Sequence, residues 1–410
     1  MSKRLLLFVL FFAFAPWAAG QQLVLHEGDR VAFYGDSITA QRFYTRFVED
    51  FVLTRDPRLH VTFCNSGVPG DTVNGGYTGD APTRLNRDLF PQHPSVVTVM
   101  LGMNDGYYMP FDQKYLDIYE TGYRKLLASI QTNLPEVRIT LISPTPYDEL
   151  THGTEFAHYN EVIGRHAAFV KELASSSHYT FSDFNQAVTN LAQAAMQKNP
   201  SLAALLIPDR IHPAEASQWV MAAALARDWG LSPVVSSAHL DASQSAPVEA
   251  ENTQISDLTA HDGSLQWKQL DASLPLPLNL EDGLVRFVLE TSDVATMDRQ
   301  TLRVDRLSSP HYTLKIDGRT IATFGREQLA AGVNLALYTT PMLSQAQQVD
   351  DMEKKRTRLD EAHFILAIEQ PTIADAALAT KAIEEKDAAL DEEQRKAAQP
   401  VVHTFELDPQ

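Results

Sequence analysis

Five residues, widely separated in the chain, have the types that acyl transfer through a serine requires. Ser37 closes Gly35-Asp36-Ser37, directly after the apolar run Val31–Tyr34. A serine hydroxyl is a weak nucleophile until a base takes its proton, and histidine is a suitable base. His212 stands in Asp209-Arg210-Ile211-His212-Pro213, with Asp209 three residues before it. A carboxylate there can accept from the second ring nitrogen, fix the tautomer and stabilise the imidazolium. The attacked carbonyl also needs donors for its developing oxyanion, each typically worth about 3–4 kcal/mol. Two stretches offer them: Asn65-Ser66-Gly67-Val68-Pro69-Gly70-Asp71-Thr72, and Gly102-Met103-Asn104-Asp105. A glycine in such a turn lets the backbone N–H come close to a bound group, and Asn104 can add its side-chain amide. The backbone N–H of Ser37 is a third donor. Each residue also has a plainer use: Ser37 or His212 as a helix cap, Asn104 and Gly70 as turn formers. Four such uses in one order would be a coincidence, so the set points to nucleophilic catalysis.

These residues need a scaffold that brings strand ends together, and the chain supplies one. Short apolar runs at 31–35, 60–65, 95–101, 137–143 and 179–183 read as strands buried on both faces. Between and after them, helical segments are expected at 43–55, 80–90, 113–133, 155–176, 185–198 and 213–229. Asp80 before Pro82, Asp112 and Pro213 mark helix starts. This alternation predicts a parallel sheet with helices on both faces, a three-layer α/β/α domain. Ser37, Gly70 and Asn104 then follow strands on one edge, where open α/β sheets place their ligand crevices.

GDS, NSGVPGDT, GMND and DRIH, in that order, resemble the four sequence blocks of the SGNH (GDSL-type) hydrolase family. The resemblance covers roughly residues 28–230; Ile38 stands where the family usually has Leu. It implies a flavodoxin-like parallel sheet and a serine esterase working through an acyl-enzyme, with no metal or cofactor. The family's nucleophile maps to Ser37, its oxyanion-hole glycine to Gly70 rather than Gly67, and its asparagine to Asn104. Its final Asp and His map to Asp209 and His212. The resemblance also allows an acyltransferase acting on cell-surface sugars with the same residues. A lysophospholipase or other lipid-ester hydrolase, and a binding module that has lost activity, are the remaining readings.

Other chemistry is less well supported. No Gly-x-Ser-x-Gly elbow is present. His152, His158 and His166 lack metal-ligand spacing and read as solvated or locally bonded. Asp71 and Asp105 are expected to bond loop backbone. Tyr77, Tyr107, Tyr108 and Tyr147, with Asn74, Asp105 and Asp148, lie on loops near the expected site. Aromatic faces beside polar groups suit sugar rings. With no apolar lid visible in 21–230, a short-chain, acetyl ester on a carbohydrate is the expected substrate.

The formal net charge of −18 repels phosphate backbones and anionic lipid, which argues against nucleic acid or a membrane surface as partner. Lys3-Arg4, the apolar run Leu5–Ala15 and Ala18-Ala19-Gly20 read as a signal peptide, residues 1–20, too short for a membrane span. An exported protein without stable membrane insertion is expected, and its loss of Lys3 and Arg4 would take the charge to −20. The one cysteine, Cys64, is expected in the core. Domain organisation reads as a catalytic domain at 21–232, a Ser-, Ala- and Pro-rich linker at 233–250 and a β-rich accessory domain at 251–410. In the last, 284–290, 301–306 and 311–324 look like strands, with a turn at Asp317-Gly318. A helical hairpin is expected at about 342–398, broken at Pro371, and a final strand at 401–407.

Overall fold

Val31 and Phe33 face one side of strand β1 (Arg30–Gly35), and Ala32 and Tyr34 face the other, all fully buried. A strand with apolar residues on both faces must be covered on both. In the computed structural model, which describes residues 23–154, 158–366 and 375–410, two separate cores do this. The expected leader lies outside the described residues. Strands β2 (Thr62–Gly67), β3 (Val96–Met100), β4 (Arg138–Ile142) and β5 (Thr180–Ser182) join β1 in a parallel sheet of order β2-β1-β3-β4-β5. Helix α1 (Ser37–Ala40) follows β1 directly. Helices α2 (Phe43–Arg55), α5 (Phe184–Lys198) and α6 (Gln218–Asp228) cover the Val31 face. Helix α3 (Gln113–Asn133) and most of α4 (Tyr159–Ser177) cover the Tyr34 face. This is the three-layer α/β/α, flavodoxin-like fold. Because β2 and β3 flank β1 on opposite sides, the chain reverses its direction of travel at β1. That switch point is where such sheets open a crevice.

Local chemistry explains most boundaries. Asp112 caps α3 by accepting from Lys114 N at 2.9 Å. Asp80 caps the next expected helix through Thr83 N at 3.0 Å, but that helix covers only 81–84. It widens into a π turn at 85–89 and ends as a 3-10 turn at 90–92, where Pro91 cannot donate to continue an α-helix.

The C-terminal half differs from expectation in two places. Residues 233–250, expected as a linker, carry β6 (Val234–Asp241), which pairs in parallel with β10 (Arg299–Asp305). With β7 (Glu249–Glu251) and β13 (Val333–Asn334) they form a four-stranded sheet. Residues 284–290, expected as a strand, lie in helix α7 (Gly283–Thr291), capped by Asp282 accepting from Leu284 N at 2.7 Å. A short apolar run fits either element by pattern; the cap and burial of Val285, Phe287 and Val288 in the α2–α6 core decide it. The segment from Leu276 to Met297 therefore packs with the core of the α/β domain.

Beyond it, β8 (Thr253–His261), β9 (Ser264–Asp271), β11 (His311–Ile316), β12 (Arg319–Gly325) and β14 (His403–Pro409) form an antiparallel sheet of order β8-β9-β14-β11-β12. Asp317 and Gly318 turn β11 into β12 with φ of 51° and 75°, as a two-residue turn requires. The last strand inserts at the centre of this sheet. Helices α8 (Pro341–Phe364) and α9 (Ala376–Ala397) are thus an insertion between β13 and β14. Pro371, expected to break them, lies outside the described residues.

The two halves are bonded to each other. Arg55, at the end of α2, pairs with Asp298 at 3.1 Å, both buried, and Asp298 also accepts from Leu276 N at 3.1 Å. Burial pushes the Asp298 carboxyl up to about 6, although Arg55 and the Leu276 N–H oppose it. Asp360 and Asp350 of α8 reach Arg42 and Arg46, each at 3.2 Å.

Candidate active site

Strand register brings the sequence blocks together. Gly35 of β1 is level with Gly67 of β2 and Met100 of β3. The loops holding Ser37, Gly70 and Asn104 therefore leave three adjacent strands at the same edge, with Ser37 in the middle. Val68 N donates to Gly35 O at 3.0 Å and ties the first two loops together. Asn104 Nδ2 donates to Asp71 O at 2.9 Å and ties the third loop to the second, beside Gly70. Gly70 sits at φ 76° with nothing within 4 Å of where a Cβ would lie. It is exposed, and its left-handed backbone favours glycine there.

Ser37 is the first residue of α1. Asp36 caps this turn by accepting from Ile38 N at 3.0 Å, and it is buried. Burial pushes its carboxyl up to about 7, opposed by the Ile38 N–H and by His212. On the far side, His212 Nε2 lies 2.8 Å from Ser37 Oγ, and His212 Nδ1 lies 2.6 Å from Asp209 Oδ2. Asp209 Oδ1 accepts from Ile211 N at 3.0 Å and His212 N at 2.8 Å. Partial burial works to raise the Asp209 carboxyl, but the backbone and side-chain bonds from His212 outweigh it and hold the group below its usual range. An ionised carboxylate only accepts, so Nδ1 carries the ring proton and Nε2 is free to accept from the Ser37 hydroxyl. The five expected residues thus meet at one edge. Their arrangement can deprotonate Ser37 and offer an amide and a glycine N–H close by.

Residues that sequence reasoning missed hold these loops. Arg84, fully buried, donates from Nε to Asp71 at 2.7 Å and from Nη2 to Ser66 O at 2.9 Å, and it also pairs with Asp88. It brackets the Gly70 loop at both ends. Asp71 therefore serves an arginine rather than loop backbone. Asp105 does bond backbone: its Oδ1 accepts from Val73 N at 2.9 Å, and burial pushes its carboxyl up to about 8. Gln218, buried at the start of α6, donates to Pro213 O at 2.9 Å and to Gln41 at 2.8 Å. It links the His212 loop to the Ser37 turn. Arg210, held at φ 73°, bonds the carbonyls of Gly153 at 2.6 Å and His152 at 2.9 Å.

The tyrosines divide. Tyr77 and Tyr107 are 66% and 56% exposed, whereas Tyr147 is buried and Tyr108 is half-buried. Asp148 is buried and caps its own loop through Leu150 N and Thr151 N. His166 is not solvated: buried, it bonds Gly102 O at 2.9 Å, and burial lowers its ring to about 4. No cluster of three metal-ligating side chains occurs among the described residues. Cys64 is partly buried against the Tyr34-side core. It borders a separate cleft of about 270 Å³, with Arg42, Arg84, Asp360 and Phe364, which Ser37, Asp209 and His212 do not line.

Residues 33–220 match the model of the GDSL-like Lipase/Acylhydrolase family. An acetylxylan esterase of Geobacillus stearothermophilus is 28% identical over 229 residues, which is 50% of this chain and 95% of that protein. A solved structure of Axe2, an acetylxylan esterase from the same organism, aligns over 51% of this chain and 97% of its own, with 25% identity and a TM-score of 0.40. A gut microbial diltiazem-metabolizing enzyme aligns over 94% of this chain and 98% of its own, with 25% identity and a TM-score of 0.82. The C-terminal half is therefore shared with that enzyme along with the α/β domain. Residues 33–220 are a domain of the GDSL-like (SGNH) lipase/acylhydrolase family, and the protein is a carboxylic ester hydrolase.

Proposed function

We propose that Ser37, His212 and Asp209 are the catalytic triad of an exported esterase that removes short acyl groups, acetyl above all, from carbohydrate esters. The observation that carries the reading is the hydrogen-bonded chain Ser37 Oγ–His212 Nε2–Asp209, at 2.8 and 2.6 Å. In the reaction, His212 Nε2 takes the Ser37 proton as Oγ attacks the ester carbonyl. The oxyanion is held by the N–H groups of Ser37 and Gly70 and by the second N–H of the Asn104 amide. His212 then passes its proton to the leaving sugar oxygen, which leaves an acetyl-Ser37 ester. Water, deprotonated by His212, attacks that ester, and acetate departs. No step needs a metal or cofactor.

The acetyl-carbohydrate part rests on the openness of the site and on the acetylxylan esterase relative. Gly70 and Asp209 are exposed, as are Tyr77 and Tyr107 on the loops after Gly70 and Asn104, which suits a bulky polar alcohol carrying a small acyl group. The test compares kcat/KM on acetyl, butyryl and octanoyl p-nitrophenyl esters, then acetate release from acetylated xylo-oligosaccharides, with diltiazem and a lysophospholipid in the panel. Preference for acetyl and release of acetate from the sugar are expected. Octanoyl preference with no acetate released would overturn the substrate assignment in favour of a lipid-ester hydrolase. Export is tested by fractionation and N-terminal sequencing: the expected chain starts at Gln21, and an unprocessed cytoplasmic chain would contradict it.

A further inference from the structure

The Asn104 amide has two ends, and the structure fixes both. Its Nδ2 donates to Asp71 O, a carbonyl that can only accept. Its Oδ1 accepts from the Tyr108 hydroxyl at 3.0 Å. One N–H remains to point at the oxyanion, and only this rotamer leaves it there; a flipped amide would set Oδ1 against Asp71 O.

The chain goes to some length to place that hydroxyl. Tyr107 and Tyr108 both lie in the left-handed region, at φ 54° and 57°, where side-chain-bearing residues are uncommon and strain collects. Gly106 permits the loop to press down: a Cβ there would meet Val162 Cγ1 at 2.7 Å and Tyr159 Oη at 2.9 Å. Tyr159 packs against the Tyr108 ring at 4.9 Å and bonds Met103 O at 2.7 Å, one residue before Asn104. Burial, with the Asp36 and Asp209 charges nearby, raises the Tyr108 phenol to about 12, so it remains a donor.

We infer that Tyr108 is a positioning residue: its hydroxyl locks the Asn104 amide in the orientation that presents N–H to the transition state. The inference rests on Asn104 being an oxyanion donor, as proposed above. Because the donor matters only when charge develops, losing its orientation should lower kcat and leave KM nearly unchanged.

The test is a double-mutant cycle on p-nitrophenyl acetate, with melting curves to confirm folding. Tyr108→Phe keeps the ring and its packing and is expected to lower kcat about 10-fold, short of the 10²–10³-fold loss expected for Asn104→Ala. In the Asn104→Ala background Tyr108→Phe should cost nothing further, since nothing is left to orient. If Tyr108→Phe keeps wild-type kcat, or multiplies the Asn104→Ala loss by its full single-mutant factor, the inference fails and Asn104 keeps its role. If Asn104→Ala itself retains wild-type kcat, the oxyanion assignment fails first and takes the inference with it.

Discussion

The two flanks of Ser37 are built differently. On one side, His212 and Asp209 stand on a half-exposed loop in which Asp209 itself holds Ile211 N, His212 N and the His212 ring. On the other, Gly70 and Asn104 rest on the buried side chains of Arg84, Asp71 and Asp105 and on the half-buried Tyr108. In the proposed mechanism the base would accept a proton, release it and meet water, which a solvent-facing loop allows. Oxyanion donors would gain from being fixed before charge develops, because no reorganisation is then needed during reaction. On that mechanism the site is soft where protons would move and rigid where charge would be received.

That contrast can be broken from either flank. The largest effect is expected on the soft side: His212→Ala should lower kcat by at least about 10⁴-fold while leaving the melting temperature close to wild type. Asp209→Asn should cost less than losing Ser37. A large drop in melting temperature for His212→Ala would show that the loop supports the fold and would erase the distinction.

On the rigid side, activity and stability should fall together. Arg84→Ala strips the buried Asp71 of its partner, and removing one member of a buried pair typically costs about 3–5 kcal/mol. Urea unfolding should show that loss, with kcat reduced at temperatures where the variant is folded. Unchanged stability would mean Arg84 does not hold the loop. Asp298→Ala, which leaves Arg55 buried and unpaired far along α2, should lose stability on a similar scale with kcat retained. That pair of variants separates buried charge at the site from buried charge between the halves.

The smallest effect is a pH dependence of stability. The carboxyls of Asp298, Asp36 and Asp105 stand at about 6, 7 and 8, all above the ordinary 3.8, chiefly through burial. Between these limits the unfolded chain has released protons that the folded chain still holds. Stability conferred by these groups therefore falls as pH rises from about 4 through 8. Asp105→Asn should flatten the upper part of that decline in melting temperature. A slope identical to wild type would show that Asp105 is ionised in the fold.

How far this was legible in the sequence follows the range of the interactions. Strand runs, the Asp112 cap, the Asp317-Gly318 turn and the four blocks are local patterns; they predicted the sheet, and they singled out the five residues that the sheet carries at one edge. The helix at 283–291 was misread because its apolar residues, Leu284, Val285, Phe287, Val288 and Leu289, fit a strand equally well until the core they pack against is known. β6 was hidden because its run is short and Ser-rich, and its partner strand lies some sixty residues on. Arg84 and Gln218 gave no signal, since a buried arginine or glutamine differs from an exposed one only through the partners that the fold gives it. Tyr108 was read as a sugar platform; its hydroxyl is turned to Asn104 instead.

The central claim, that Ser37 is the nucleophile and His212 its base, is tested most directly by covalent labelling with a fluorophosphonate followed by intact mass and peptide mapping. The account predicts one adduct per chain, on Ser37, absent in Ser37→Ala and formed at least about 100-fold more slowly in His212→Ala, a conservative fraction of the loss expected when a triad member is removed. An adduct on another residue, or labelling of His212→Ala at the wild-type rate, would contradict it.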